Sequence, residues 1–143
     1  MLYELIYHSL SATDFNSGEI AEMLEKSRVF NENNLITGCL LCYQNEFLQI
    51  IEGEKDLVLE LYSKIAEDHR HSHAVILAQG EIQGRAFEKW SMAFQDFSKH
   101  QLAQNLAVST EELAGVIRNF NKDTKARKLF DLIANDIVSG RLS

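Results

Sequence analysis

The stretch Leu35-Ile36-Thr37-Gly38-Cys39-Leu40-Leu41-Cys42-Tyr43, then Gln44-Asn45, then Glu46-Phe47-Leu48-Gln49-Ile50-Ile51-Glu52 decides how the chain is read. Two apolar runs, 35–43 and 46–52, flank a two-residue polar break, and this predicts a β-hairpin. Upstream, residues 2–8 read as a strand and residues 11–17 as a loop rich in Ser, Thr, Asp and Asn. Asn16 followed by Glu19 resembles a capping pair. Ile20, Met23 and Leu24 then repeat at helical spacing to about Phe30, with Asn33-Asn34 closing the helix. Downstream, Gly53-Glu54-Lys55 reads as a turn, and Leu57, Val58, Leu61, Tyr62 and Ile65 form the apolar stripe of a second helix. Residues 74–79 read as a short strand, and Gly80 and Gly84 flank a turn. Residues 89–97 alternate, with Trp90, Met92 and Phe94 on one face. Residues 110–119 and 124–138 read as two amphipathic helices.

The order β-α-β-β-α-β-β with one-striped helices implies α+β class: a ferredoxin-like sandwich with two extra C-terminal helices. Residues 1–97 make the main domain and 98–143 a helical extension that covers the second sheet face or makes an oligomer contact. The chain of 143 residues is long enough for one real core. It has 14 Lys and Arg against 21 Asp and Glu, a net charge of −7, which argues against nucleic-acid and anionic-membrane partners. No run approaches about 18 apolar residues, so no membrane span is expected. Met1-Leu2-Tyr3-Glu4 lacks the basic start of a signal peptide. With two cysteines, a reduced cytoplasmic protein is the expectation. The absence of proline leaves no proline-rich linker.

Several motifs have plain structural readings. Cys39 and Cys42 have C-x-x-C spacing, but they lie within a predicted strand and must face opposite sides, so both read as core thiols. His69, His71 and His73 alternate, yet they follow a helix and read as a solvated turn, with no metal expected. Glu52, Glu54, Glu67 and Asp68 show no fixed separation for acid–base work. No nucleophile elbow, P-loop or G-x-G-x-x-G is present, so an enzyme is not expected. Three polar residues stand out because they share predicted inward faces: Gln49 with Phe47 and Ile51, Tyr7 with Leu5 and Tyr3, and Asn31 in line with Leu24 and Ser27. Buried amides need partners, and an amide's donor and acceptor suit the mixed edge of a heterocycle.

At this point the residues resemble the BLUF family of flavin-binding blue-light sensors, in its short stand-alone form. The resemblance rests on Ile6-Tyr7-His8-Ser9, Ser27-Arg28 with Asn31, Ile36-Thr37-Gly38, Phe47-Leu48-Gln49 leading to Glu52-Gly53, Asp68-His69-Arg70-His71, Arg85-Ala86-Phe87 and Trp90-Ser91-Met92, in family order. It implies a ferredoxin-like fold with a flavin between the two helices and the sheet. FAD is the usual cofactor, FMN or riboflavin being alternatives. It implies Tyr7 as electron and proton donor, Gln49 as the switching amide, and Asn31 as a partner of the flavin's carbonyl and imide edge. Trp90 and Met92 would relay the signal, and Ser9 and Ser27 would sit near that network. Lys64, Asp68, Arg70 and His71 would lie along the ring and tail. Phe30 stands where some relatives carry histidine or another polar residue, and it can stack on the ring system.

The function implied is a photoreceptor that signals through an unidentified downstream protein, with a homo-oligomer also implied. The alternative is a light-independent ferredoxin-like interaction module. An acylphosphatase-type enzyme finds no loop of backbone donors to hold a phosphate.

Overall fold

The computed structural model of the chain describes residues 1–11, 17–43, 46–68, 71–87, 93–96 and 123–138. The elements are β1 (Leu2–Ser11), α1 (Ser17–Asn33), β2 (Thr37–Tyr43), β3 (Glu46–Glu54), α2 (Lys55–Glu67), β4 (His71–Glu81), β5 (Ala93–Asp96) and α3 (Lys125–Val138). They form the expected α+β sandwich. The sheet runs β4-β1-β3-β2-β5, with β5 parallel to β2 and the other neighbours antiparallel. The first four strands follow the ferredoxin-like order, and β5 extends the β2 edge. Of the two C-terminal helices expected, the 124–138 helix is α3, and 110–119 lies outside the described residues. Among the described residues no helix is long and apolar enough to cross a membrane.

The sheet has a core on each face. On the first, Leu5, Tyr7, Leu40, Cys42, Phe47 and Ile51 meet Met23 and Leu24 of α1 and Val58 of α2. On the second, Ile6, Cys39, Leu41, Leu48 and Ile50 meet Phe87 and the α3 residues Ala126, Phe130 and Ala134. Cys39 and Cys42 therefore divide between the two cores as strand alternation requires, and both are free thiols. Burying a side chain such as Leu24 or Ile50 contributes roughly 1.5–3 kcal/mol, so the two layers together hold the central strands.

Charged groups also lie buried on the second face. Glu4 and Glu52 are register partners on β1 and β3, at 2 % and 0 % exposure. Arg127 of α3 sits 3.3 Å from the Glu4 carboxylate and also donates to the carbonyl of Gly84. Thr124 caps α3 by accepting from the Arg127 backbone N–H at 3.1 Å. Glu52 accepts from Ala86 N, Phe87 N and the Thr37 hydroxyl at 2.9, 2.7 and 2.8 Å. Arg85 donates to Thr37 Oγ1 at 2.9 Å. These bonds stitch residues 85–87 to the sheet and set Phe87 edge-on to Phe130, with centroids 5.6 Å apart.

Four sequence expectations need correction. β3 runs straight into α2, so Gly53-Glu54-Lys55 is not a turn; Gly53 and Glu54 instead pair with Tyr3 and Leu2. His71 and His73 belong to β4 rather than to a turn. Pairing with β1 captures His71, and His73, at φ 53°, sits unpaired at the register shift between Ser72 and Val75. β1 extends to Ser11 by the same pairing, past the residue-8 end expected. Leu35 does not start β2 but ends α1: at φ 54° it takes the left-handed cap position usually given to glycine. Its N–H bonds Glu32 O at 3.4 Å and the Ile36 N–H bonds Asn31 O at 2.8 Å, the paired bonds of a Schellman motif.

At Gly38 a Cβ would lie 2.1 Å from the Ile50 carbonyl oxygen, so Gly38→Ala is expected to lose about 1–3 kcal/mol or more in urea unfolding. Desolvation raises the Glu4 pKa above its ordinary 4.5, outweighing Thr124 and Arg127, which lower it. A raised carboxyl contributes stability in full below 4.5 and loses it as pH rises through the folded value. Denaturation between pH 4 and 8 should therefore show Glu4→Gln gaining stability relative to the parent chain as pH rises; a constant difference would contradict this.

Candidate functional site

Tyr7 and Gln49 sit at the centre of the sheet because β1 and β3 pair in a register that sets them directly opposite each other. Both face the α1–α2 layer, where they are 1 % and 6 % exposed. The Tyr7 hydroxyl donates to Gln49 Oε1. Burial pushes the Tyr7 phenol far above the ordinary tyrosine range, and the neighbouring Cys42 and Tyr62 add to the rise. A phenolate is thus strongly disfavoured there, and Tyr7 is held as a neutral donor.

Above this pair lies a cavity of about 280 Å³, near the small end of the roughly 300–1,000 Å³ usual for small-molecule sites. Tyr7, Leu40 and Gln49 form its sheet side. Leu24, Ser27, Phe30 and Asn31 of α1 make one wall, since positions three and four apart share a helix face. Leu61, Lys64 and Ile65 of α2 make the other, with Asp68 just beyond its end. Asn31, 1 % exposed, is anchored by the α1 cap described above, through its own carbonyl. Lys64 reaches across from α2 to the Phe30 ring, 4.7 Å from its centroid, and pairs with Glu60 at 3.4 Å.

The chemistry of this wall suits a planar heterocycle. Two buried amides and a phenol offer both donors and acceptors at its base, apolar side chains flank it, and Phe30 offers a ring to stack on. Lys64 offers a cation for an anionic tail. The residues present therefore fit a flavin.

The structure brings together Tyr7, Ser27, Phe30, Asn31, Gln49, Lys64 and Asp68 around this one cavity. Ser9 is fully buried opposite Phe47 on β1 and is not among the cavity's lining residues. His71 opens β4. Arg70, Trp90 and Met92 lie outside the described residues. Sequence reasoning did not single out Leu40 or Lys26 as wall residues, nor Tyr62 as a neighbour of Tyr7. For Leu40, the signal available was its register opposite Gln49.

The family model "BLUF: Sensors of blue-light using FAD" matches residues 2–93. The photoactivated adenylate cyclase subunit beta of Euglena gracilis is 32 % identical over 93 residues, 64 % of this chain and 11 % of that protein. The blue light- and temperature-regulated antirepressor BluF of Escherichia coli K12 is 33 % identical over 101 residues, 71 % of this chain and 25 % of that one. The chain thus spans about a tenth of the cyclase subunit and a quarter of the antirepressor. Among solved structures, BlrB, a BLUF protein in its dark state, superposes with a TM-score of 0.67 at 26 % identity, covering 99 % of this chain and 97 % of that one.

Filling the cavity tests its use. Ser27→Phe is expected to weaken flavin binding by at least about tenfold, or 1.4 kcal/mol, in a fluorescence-quenching titration. An unchanged affinity would place the ligand elsewhere.

Proposed function

The chain belongs to the BLUF family of blue-light sensors that use FAD, and we propose that it senses light through Tyr7 and Gln49 and reports by protein contact. The observation that carries this reading is the buried hydrogen bond from Tyr7 to Gln49 at the base of the cavity. When bound, the flavin supplies a light-excited oxidant. Tyr7 is the donor: in its dry surroundings it releases an electron only together with its proton, because neither a phenolate nor a charged phenol is tolerated there. Gln49 Oε1 already accepts from that hydroxyl and is the first station for the proton. Gln49 then rotates or tautomerises its amide. That exchanges donor for acceptor toward the cavity and leaves a changed hydrogen-bond pattern after Tyr7 is restored.

With a flavin bound, Asn31 would hold its carbonyl and imide edge, Phe30 would stack on its rings, and Ser27 and Ser9 would support the polar network. Lys64, Asp68, Arg70 and His71 are the residues assigned to the flavin's ring side and tail. FAD is the assigned cofactor, as in the family description; FMN or riboflavin would present the same ring system to Tyr7 and Gln49.

Trp90 and Met92 relay the altered amide to the rest of the chain. Residues 1–97 form the flavin-binding domain and 98–143 the helical extension. The extension passes the signal to a downstream protein, in a cytoplasmic homo-oligomer that has no enzyme activity of its own. The packing of α3 on the second face of the sheet supports this route, since α3 touches the strands that carry Tyr7 and Gln49.

Tyr7→Phe is expected to keep flavin but lose the light-induced red shift, and Gln49→Leu to do the same. Steady-state difference spectra of the two variants decide it: a normal reversible shift in either removes that residue from the switch.

A further inference from the structure

Tyr7 has an aromatic neighbour outside the cavity wall. The ring of Tyr62, on α2, meets the Tyr7 ring edge to face, with centroids 5.4 Å apart and planes at 62°. Tyr7 is 1 % exposed, whereas Tyr62 is only partly buried at the margin of the same core. Tyr62 is not among the residues that line the cavity, so it contacts the donor without contacting the ligand space. Another tyrosine packed against this core, Tyr3, is differently engaged: its hydroxyl donates to Gln79 at 2.9 Å and Lys55 sits over its ring.

We infer that Tyr62 is a redox relay residue that refills an oxidised Tyr7 and carries the electron vacancy outward. The inference rests on the light-driven oxidation of Tyr7 proposed above. The two phenols have the same chemistry in unlike surroundings. Among the described residues the Tyr7 hydroxyl donates to Gln49 alone, whereas Tyr62 is partly exposed, so that water is the proton acceptor inferred for it, although burial raises its pKa as well. Losing a proton to water favours the vacancy on the wetter ring, because a charged or half-transferred proton is costly in the dry core. Contact between the rings leaves no intervening medium for the electron to cross.

The step balances. Tyr62 gives one electron to the oxidised Tyr7 and its phenolic proton to water. Tyr7 gains that electron and recovers from Gln49 the proton it had passed there, which restores its O–H bond. No bond forms between residues. In the net ledger Tyr62 is oxidised by one electron and loses one proton to solvent, Tyr7 is unchanged, and the flavin that served as oxidant is one electron more reduced. The path competes with direct return of the electron to Tyr7. It therefore acts as an exit for oxidising equivalents when that return fails.

The test is electron paramagnetic resonance of the full flavin-loaded chain, frozen during blue illumination, together with optical spectra of the same samples. The parent chain is expected to trap a long-lived tyrosyl radical. Tyr62→Phe, which keeps the ring packing and removes only the hydroxyl, should abolish that signal, and Tyr3→Phe should not. Tyr62→Trp should replace it with a tryptophanyl signal, which a purely structural role for Tyr62 would not produce. Tyr7→Phe should abolish it as well. A tyrosyl signal that survives Tyr62→Phe, or the lack of one in a parent chain that shows a reversible shift, overturns the relay. A parent chain with flavin but no shift overturns the switch itself, and the relay with it.

Discussion

The hydrogen bond between Tyr7 and Gln49 exists because β1 and β3 pair in one register and no other. A slip of one residue would turn Gln49 to the α3 side and bring an apolar neighbour to Tyr7. The structure pins that register from the opposite face. Glu4 and Glu52 are partners in the same strand pair, each buried and each tied to elements outside it, Glu4 to α3 and Glu52 to residues 85–87. Charge placed behind the sheet thus holds the polar pair in front of it.

This arrangement is expensive for stability and informative about use. Buried ion pairs commonly give little net stability, since desolvation offsets their attraction. Here one such pair ties Glu4 of β1 to Arg127 of α3, while hydrogen bonds tie Glu52 of β3 to residues 85–87, both on the strands that carry the photochemical candidates. Close approach at Gly38 adds a second constraint, since β2 must lie tightly against β3 for Leu40 to back Gln49. A hydrogen-bond change at Gln49 is therefore felt by a sheet with little room to absorb it, and packed layers of this kind shift as units.

Much of this was legible in the residues. The hairpin, the strand alternation and the helical stripes placed Tyr7, Gln49 and Asn31 inward, and those three now surround or border one cavity. The C-x-x-C pair split between faces for the reason alternation predicts. What was not legible depended on long-range pairing or backbone dihedrals. Gly53 looks like a turn until β1 is laid beside it. Leu35 continues an apolar run, and only the left-handed backbone shows that it caps α1 and so fixes the carbonyl of Asn31. The buried carboxylates Glu4 and Glu52 carry no local signal, because Arg127 lies 123 positions along the chain from Glu4 in α3, and the backbone donors that hold Glu52 lie 34 and 35 residues away. Tyr62 read as one more stripe residue, and its contact with Tyr7 is a property of how α2 docks.

The most direct test of the account is the absorption spectrum of the purified chain loaded with FAD, recorded in the dark, under blue light, and again after dark recovery. Flavin bands that shift slightly to the red in the light and return in the dark, without bleaching, are expected. Flavin bound with no shift would contradict the Tyr7–Gln49 switch, and failure to bind flavin at all would contradict the assignment of the cavity.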